Sequence, residues 1–282
     1  IKELKNINNN VEIRCWGGDL MQNSGAELVK HYRDLAFMGF AEVVKNLPTI
    51  LNNISFCKKD IETFKPDAII LIDYPGFNLR IAKWAKQKGF KIIYYISPQI
   101  WAWKESRIHQ IKKNIDKMLV ILPFEKAFYK KWNYEVDYVG HPLVEVIDNF
   151  QIQYQYNPQD WEYEKTIALL PGSRKQEILQ KLPIMLEVSR YFSNYQFIVA
   201  KAPGIEDEFY NNLLKPYSNV SYVTNRTYEL LYHSSAALVT SGTATLEAAL
   251  YKCPMVIAYH MPWISWQIMR NKRLQPWVGL PN

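Results

Sequence analysis

The chain has 282 residues, 48% of them hydrophobic and 14% aromatic, with a formal net charge of +7. That much apolar material excludes wholesale disorder and suffices for one large domain or two of medium size. No apolar run approaches the roughly 18–20 residues of a membrane span, and the scattered Cys15, Cys57 and Cys253 lack metal spacing and fit a reducing compartment without a structural disulfide.

Ile1-Lys2-Glu3-Leu4-Lys5-Asn6 reads as neither a signal peptide nor a translation start, so the chain is expected to begin inside its parent. Apolar, β-branched runs then recur at intervals suited to a parallel sheet. Residues 11–15, 68–72, 91–96, 118–122 and 136–139 form a first set; residues 166–170, 196–200, 220–223, 236–240 and 255–259 form a second. Helical periodicity fills most gaps between them, as at 78–88, 106–114, 176–192 and 243–251. Buried runs without alternation, separated by helices, predict α/β layers covered on both faces. Residues 148–164 are polar and break the rhythm, which predicts a linker region between a domain at 1–147 and another at 165–282. The economical architecture is two Rossmann-like domains facing across a cleft.

Turn chemistry repeats where the runs end: Ile72-Asp73-Tyr74-Pro75-Gly76, Ile96-Ser97-Pro98-Gln99, Leu122-Pro123-Phe124-Glu125, Val139-Gly140-His141-Pro142 and Leu170-Pro171-Gly172-Ser173-Arg174. Ligands of open α/β sheets bind at the carboxyl ends of strands, so these loops are expected to line a site. Asp73 there is placed to act as a general base, or to cap a helix. His141 is a second candidate base, or a packing histidine at a hinge. At the next turn Gly172 admits close backbone approach, Ser173 offers a hydroxyl, and Arg174 offers a fixed fork for diphosphate oxygens or a partner for Glu177.

Residues 238–249 (Leu-Val-Thr-Ser-Gly-Thr-Ala-Thr-Leu-Glu-Ala-Ala) read as a buried strand, a small-residue turn and a helix. Ser241, Gly242 and Thr243 would present unpaired N–H groups at the positive end of a helix dipole, a seat for phosphate. Glu247, about one turn further on, is placed to accept hydrogen bonds from a ribose. Together they suggest a nucleotide diphosphate, although ordinary helix caps use the same residues. No phosphate-loop, dinucleotide or zinc motif is present, and no Asp-x-Asp suggests a metal-bridged leaving group. A diphosphate leaving group would then depend on Arg174 and the helix dipole. No cofactor is expected.

Residues 80–131 hold 13 Lys or Arg against three Asp or Glu, so this stretch carries +10 and the remainder −3. Such a patch suits nucleic acid, anionic lipid or a phosphorylated substrate, or is a set of solvated helix faces. Trp101, Trp103, Trp263, Trp266 and Trp277 lie near basic residues, among them Arg270, Lys272 and Arg273, which suits a membrane interface or an acyl chain as well as a packed core.

Taken together, these segments resemble the lipid-A-disaccharide synthase family, inverting glycosyltransferases of the GT-B fold. The resemblance runs in order through Trp16-Gly17-Gly18-Asp19, Asp73-Tyr74-Pro75-Gly76-Phe77-Asn78, Tyr95-Ile96-Ser97-Pro98-Gln99-Ile100-Trp101-Ala102-Trp103, Leu122-Pro123-Phe124-Glu125 and Val139-Gly140-His141-Pro142. It continues through 169–174, 241–249 and Lys252-Cys253-Pro254-Met255-Val256. It implies metal-free transfer of a sugar from UDP-2,3-diacylglucosamine to 2,3-diacylglucosamine 1-phosphate, giving a β-1′,6-linked disaccharide phosphate and UDP. It further implies Asp73 as base or acceptor-orienting residue, with Asp73 or His141 handling the proton, and a donor site of Gly172, Ser173, Arg174, Ser241, Gly242, Thr243 and Glu247. Asn78, Gln99, Trp101 and Trp103 would contact the acceptor. A cytoplasmic enzyme at the anionic inner membrane of a Gram-negative bacterium is expected, with no nucleic acid as partner. The family also has an N-terminal strand with a Gly-Glu-x-Ser-Gly-Asp turn, and a C-terminal segment exchanged between the subunits of a homodimer. A fragment lacking both is a candidate for an inactive enzyme with exposed strand edges. The rivals are another GT-B-like UDP-N-acetylglucosamine transferase or 2-epimerase, which has no need of the Trp-Ala-Trp segment, and a non-catalytic binder of anionic membrane or nucleic acid.

Overall fold

The computed structural model describes residues 1–34, 47–102, 104–155, 161, 165–240 and 242–258. They form two compact units. The first comprises residues 1–120 and 124–138; the second comprises residues 121–123 and those from Val139 onward.

The first unit contains a parallel pair, β1 (Arg14–Gly17) with β2 (Glu27–His31). It also contains a parallel sheet of β3 (Ala68–Ile72), β4 (Lys91–Tyr95), β5 (Lys117–Val120) and β6 (Asp137–Tyr138), in that order. The helix Pro75–Gln87 packs on this sheet because its apolar residues recur at helical spacing: Phe77, Leu79, Ile81, Ala82 and Ala85 are all buried. Pro75 starts it at a position where a missing N–H costs nothing. Ile92, Tyr94, Met118 and Val120 supply the sheet side of the same core.

The second unit is a five-stranded parallel sheet of β7 (Thr166–Leu170), β8 (Gln196–Lys201), β9 (Val220–Thr224), β10 (Ser234–Val239) and β11 (Met255–Ile257). Its order is β11-β10-β7-β8-β9, so the chain fills one side of β7 before crossing to the other. The switch point falls between β7 and β10, whose ends pair Leu170 with Val239. Ala168, Leu169, Val199 and Val239 are fully buried, as expected of parallel strands covered on both faces.

The helix Pro142–Gln153 runs into the stretch expected as a linker, and the division of units falls at 138–139 rather than at 147–148. Its polar Asn and Gln residues face outward, while Phe150 stacks on Tyr154 at 5.1 Å and meets the ring of Tyr228 at 5.5 Å. An aromatic seam thus fixes to the second unit a helix whose composition reads as loop.

Candidate functional site

In the first unit, Asp73 and Tyr74 follow β3 directly, and both have φ of 44°. The Asp73 N–H donates to the Tyr95 carbonyl at 3.0 Å, continuing the β3–β4 ladder by one rung. The Asp73 carbonyl accepts from the Tyr94 hydroxyl at 2.5 Å and from Asn78 Nδ2 at 2.7 Å. Asn78 Nδ2 also reaches the Ile72 carbonyl at 3.0 Å. Asn78, expected to contact substrate, therefore spends its amide on the loop that carries Asp73. The residue Asp73 reaches solvent, yet the protein crowding its carboxyl raises the pKa above the ordinary value, opposed by a hydrogen bond from the Tyr74 N–H.

The loop after β4 begins with Ile96 at φ 63°, a conformation a β-branched residue rarely takes. Ser97 follows, buried, its hydroxyl 2.6 Å from that of Tyr129. Gln99 is exposed. Trp101 is half-buried, edge-on to Phe124 at 4.9 Å, and its Nε1 has no partner among the described residues. Trp103 lies outside the described residues, as do Ser241, Trp263, Trp266, Trp277, Arg270, Lys272 and Arg273.

His141 is the N-cap of helix Pro142–Gln153, its Nδ1 accepting the Leu143 N–H at 3.2 Å. Burial lowers its pKa, which favours the neutral ring. With the Nδ1 lone pair engaged, the neutral ring carries its proton on Nε2, where it can donate and cannot accept.

In the second unit, the candidate donor residues stand at the switch point. The Thr240 N–H donates to the Leu170 carbonyl at 3.0 Å, tying together the ends of β10 and β7. Gly172 has φ 113°, and a Cβ there would lie 2.9 Å from Glu177 Oε2. Ser173 and Arg174 are exposed at the start of helix Lys175–Ser189. Arg174 Nη1 pairs with Glu177 Oε1 at 2.9 Å, as its sequence spacing allowed. With the arginine side chain 58% exposed, such a pair contributes at most about 1 kcal/mol.

Gly242 has φ 109° and ψ −154°, and its carbonyl accepts both the N–H and the hydroxyl of Thr245, at 3.1 and 2.7 Å. Thr243 is exposed at the start of helix Thr243–Leu250. Glu247 is half-buried in the same helix; burial raises its pKa, opposed by a hydrogen bond from the Tyr228 hydroxyl. Tyr228 stacks at a tilt on Tyr251, ring centres 5.8 Å apart. Neither Tyr94 nor Tyr228 is conspicuous in the sequence, because a tyrosine beside apolar residues reads as core.

The basic stretch is partly neutralised within the first unit, where Lys86 pairs with Asp116, Lys117 with Asp137 and Lys88 with Glu62. Lys83, Lys113, Lys126, Lys130 and Lys131 remain on its exposed surface.

A family model described as lipid-A-disaccharide synthetase matches residues 1–282. A relative from Syntrophus aciditrophicus (strain SB), named lipid-A-disaccharide synthase, is 36% identical over 274 residues, covering 94% of this chain and 72% of its own length. Among solved structures, the glycotransferase of kitacinnamycin superposes with a TM-score of 0.62 at 15% identity, over 93% of this chain and 76% of that one. A UDP-N-acetylglucosamine 2-epimerase from Rickettsia bellii superposes with a TM-score of 0.60 at 14% identity, over 86% and 70%. At such identities these two likenesses bear on fold alone, and the fold is the GT-B type expected from the sequence.

Proposed function

The chain belongs to the lipid-A-disaccharide synthetase family, and from that premise we propose that it transfers 2,3-diacylglucosamine from UDP-2,3-diacylglucosamine to the 6-hydroxyl of 2,3-diacylglucosamine 1-phosphate. One observation of geometry carries the assignment of the donor site. The turns Gly172–Arg174 and Gly242–Thr243 follow β7 and β10, adjacent strands at the switch point of a parallel sheet. Two glycines in left-handed backbone, a helix N-terminus and an arginine suit a diphosphate, and Glu247 is one turn further along the helix for the ribose.

Asp73 is the proton acceptor. It takes the proton of the acceptor hydroxyl as the new C1–O bond forms, while the C1–O bond to diphosphate breaks and UDP departs with the electron pair. Attack opposite the leaving group inverts the anomeric centre. Arg174 and the dipole of helix Thr243–Leu250 stabilise the departing diphosphate. His141 is assigned no base role, because its accepting nitrogen is engaged by the Leu143 N–H. The exposed lysines 83, 113, 126, 130 and 131 suit an anionic membrane face, where both acylated substrates reside. No helix among the described residues is long and apolar enough to cross a membrane; the proposed association is peripheral, on the cytoplasmic side of a Gram-negative inner membrane.

The test supplies both lipid substrates to the full-length protein carrying this sequence. Formation of the β-1′,6-linked disaccharide 1-phosphate with one UDP per turnover is the expected result. No disaccharide, with epimerisation or hydrolysis of UDP-N-acetylglucosamine instead, overturns the proposal.

A further inference from the structure

Asp73 and the residue after it are both held in left-handed backbone. Left-handed backbone costs most L-residues about 1–2 kcal/mol and aspartate less; Asp73 and Tyr74 adopt it in succession at φ 44°, the strain falling chiefly on the tyrosine. Such strain persists only where the surroundings over-determine it. Here the surroundings are specific. Tyr94 lies on β4, the hydrogen-bonded neighbour of β3, and is 0% exposed. Its ring belongs to the first unit's core, a place that phenylalanine would fill as well. Its hydroxyl instead ends 2.5 Å from the Asp73 carbonyl. Asn78, in the first turn of helix Pro75–Gln87, donates to the same carbonyl at 2.7 Å and to that of Ile72 at 3.0 Å. Burial raises the Tyr94 phenol, so it remains a donor at every working pH.

We propose that Tyr94 and Asn78 are positioning residues for the proton acceptor. Between them they fix the carbonyl of Asp73, and so the left-handed backbone that determines where its carboxylate is presented. The proposal rests on the assignment of Asp73 as base. It also reassigns Asn78, which acts through Asp73 rather than on substrate.

Tyr94→Phe keeps the ring and removes only the donor. In the full-length protein the expected result is a kcat lowered about tenfold to a hundredfold, with the KM for the UDP-sugar and the affinity for UDP within about twofold of wild type. A residue that acts through Asp73 also has nothing left to act on once that carboxylate is gone, so Tyr94→Phe should have no further effect in an Asp73→Asn background. Wild-type kcat in Tyr94→Phe, with Asp73→Asn inactive, overturns the inference and leaves the base assignment standing. Wild-type kcat in Asp73→Asn overturns the base assignment itself. An equal loss in both backgrounds makes Tyr94 a general structural residue and overturns the inference. Should Tyr94→Phe not fold, the same cycle with Asn78→Ser, at the solvent-side end of the clamp, decides between these outcomes.

Discussion

The end of β3 and the ends of β7 and β10 use left-handed backbone in opposite ways. After β3 the left-handed residues are Asp73 and Tyr74, and the side chains of Tyr94 and Asn78 donate to the Asp73 carbonyl between them. After β7 and β10 they are Gly172 and Gly242, at φ 113° and 109°, each within three residues of a helix start. The difference follows from what each loop supplies. If Asp73 acts as proposed, glycine cannot serve in its place, and the strain of the Asp73-Tyr74 turn has to be balanced by hydrogen bonds from outside it. If the N–H groups after β7 and β10 bind the diphosphate as proposed, a side chain there is superfluous, and glycine adopts the conformation without strain.

Substitutions on the two sides should therefore fail differently. The largest effect is expected from Asp73→Asn, which keeps shape and removes the proton acceptor: kcat falls about 10²–10⁴-fold, with the donor KM nearly unchanged in steady-state kinetics. The wild-type pH profile sharpens the same point. Burial raises the Asp73 pKa, so the protonated, inactive form accumulates as pH falls. The acid limb of kcat/KM should have its midpoint above the ordinary aspartate value, and Asp73→Asn should abolish that limb.

Arg174→Ala comes next, with kcat/KM for the donor falling about 10²–10³-fold. Arg174→Lys should recover only part of the loss, because an ammonium lacks the guanidinium fork. Gly242→Ala is a backbone effect and should lower folding stability by about 1–3 kcal/mol, read as a lower midpoint in chemical denaturation, together with weaker UDP binding. The smallest effect belongs to His141. His141→Ala loses a helix cap worth about 1 kcal/mol, and His141→Ser should restore stability without altering the pH profile. A His141→Ser enzyme without turnover would break the comparison by moving the proton chemistry to the second unit.

Much of this layout is legible in the sequence where apolar runs are long and bounded by proline or glycine. Residues 68–72 and 166–170 are predicted as strands and observed with the same limits. The strand Glu27–His31 is hidden because its Glu-Leu-Val-Lys-His pattern has polar residues at both ends and no buried position. The helix Pro142–Gln153 is hidden because its second half is polar, Phe150 is its only aromatic residue, and that ring's partner Tyr228 lies far along the chain. The turns at Gly172 and Gly242 are legible as turns because a glycine between an apolar run and a helix marks a chain reversal, and both are observed at positive φ. The clamp on Asp73 is not, because nothing in Ile-Ile-Tyr-Tyr tells which hydroxyl will meet a carbonyl one strand away, and because the exposed face of Asn78 resembles a substrate contact until its amide is seen engaged.

The division of labour between the two units is tested most directly by calorimetric titration of UDP into the full-length protein, its Asp73→Asn variant and its Arg174→Ala variant. Asp73→Asn should bind UDP within about twofold of wild type while Arg174→Ala binds at least about tenfold more weakly, since hydrogen bonds to a charged group contribute about 1.5–3 kcal/mol. Wild-type UDP affinity in Arg174→Ala, or its loss in Asp73→Asn, would contradict the assignment of leaving-group binding to the second unit and proton transfer to the first.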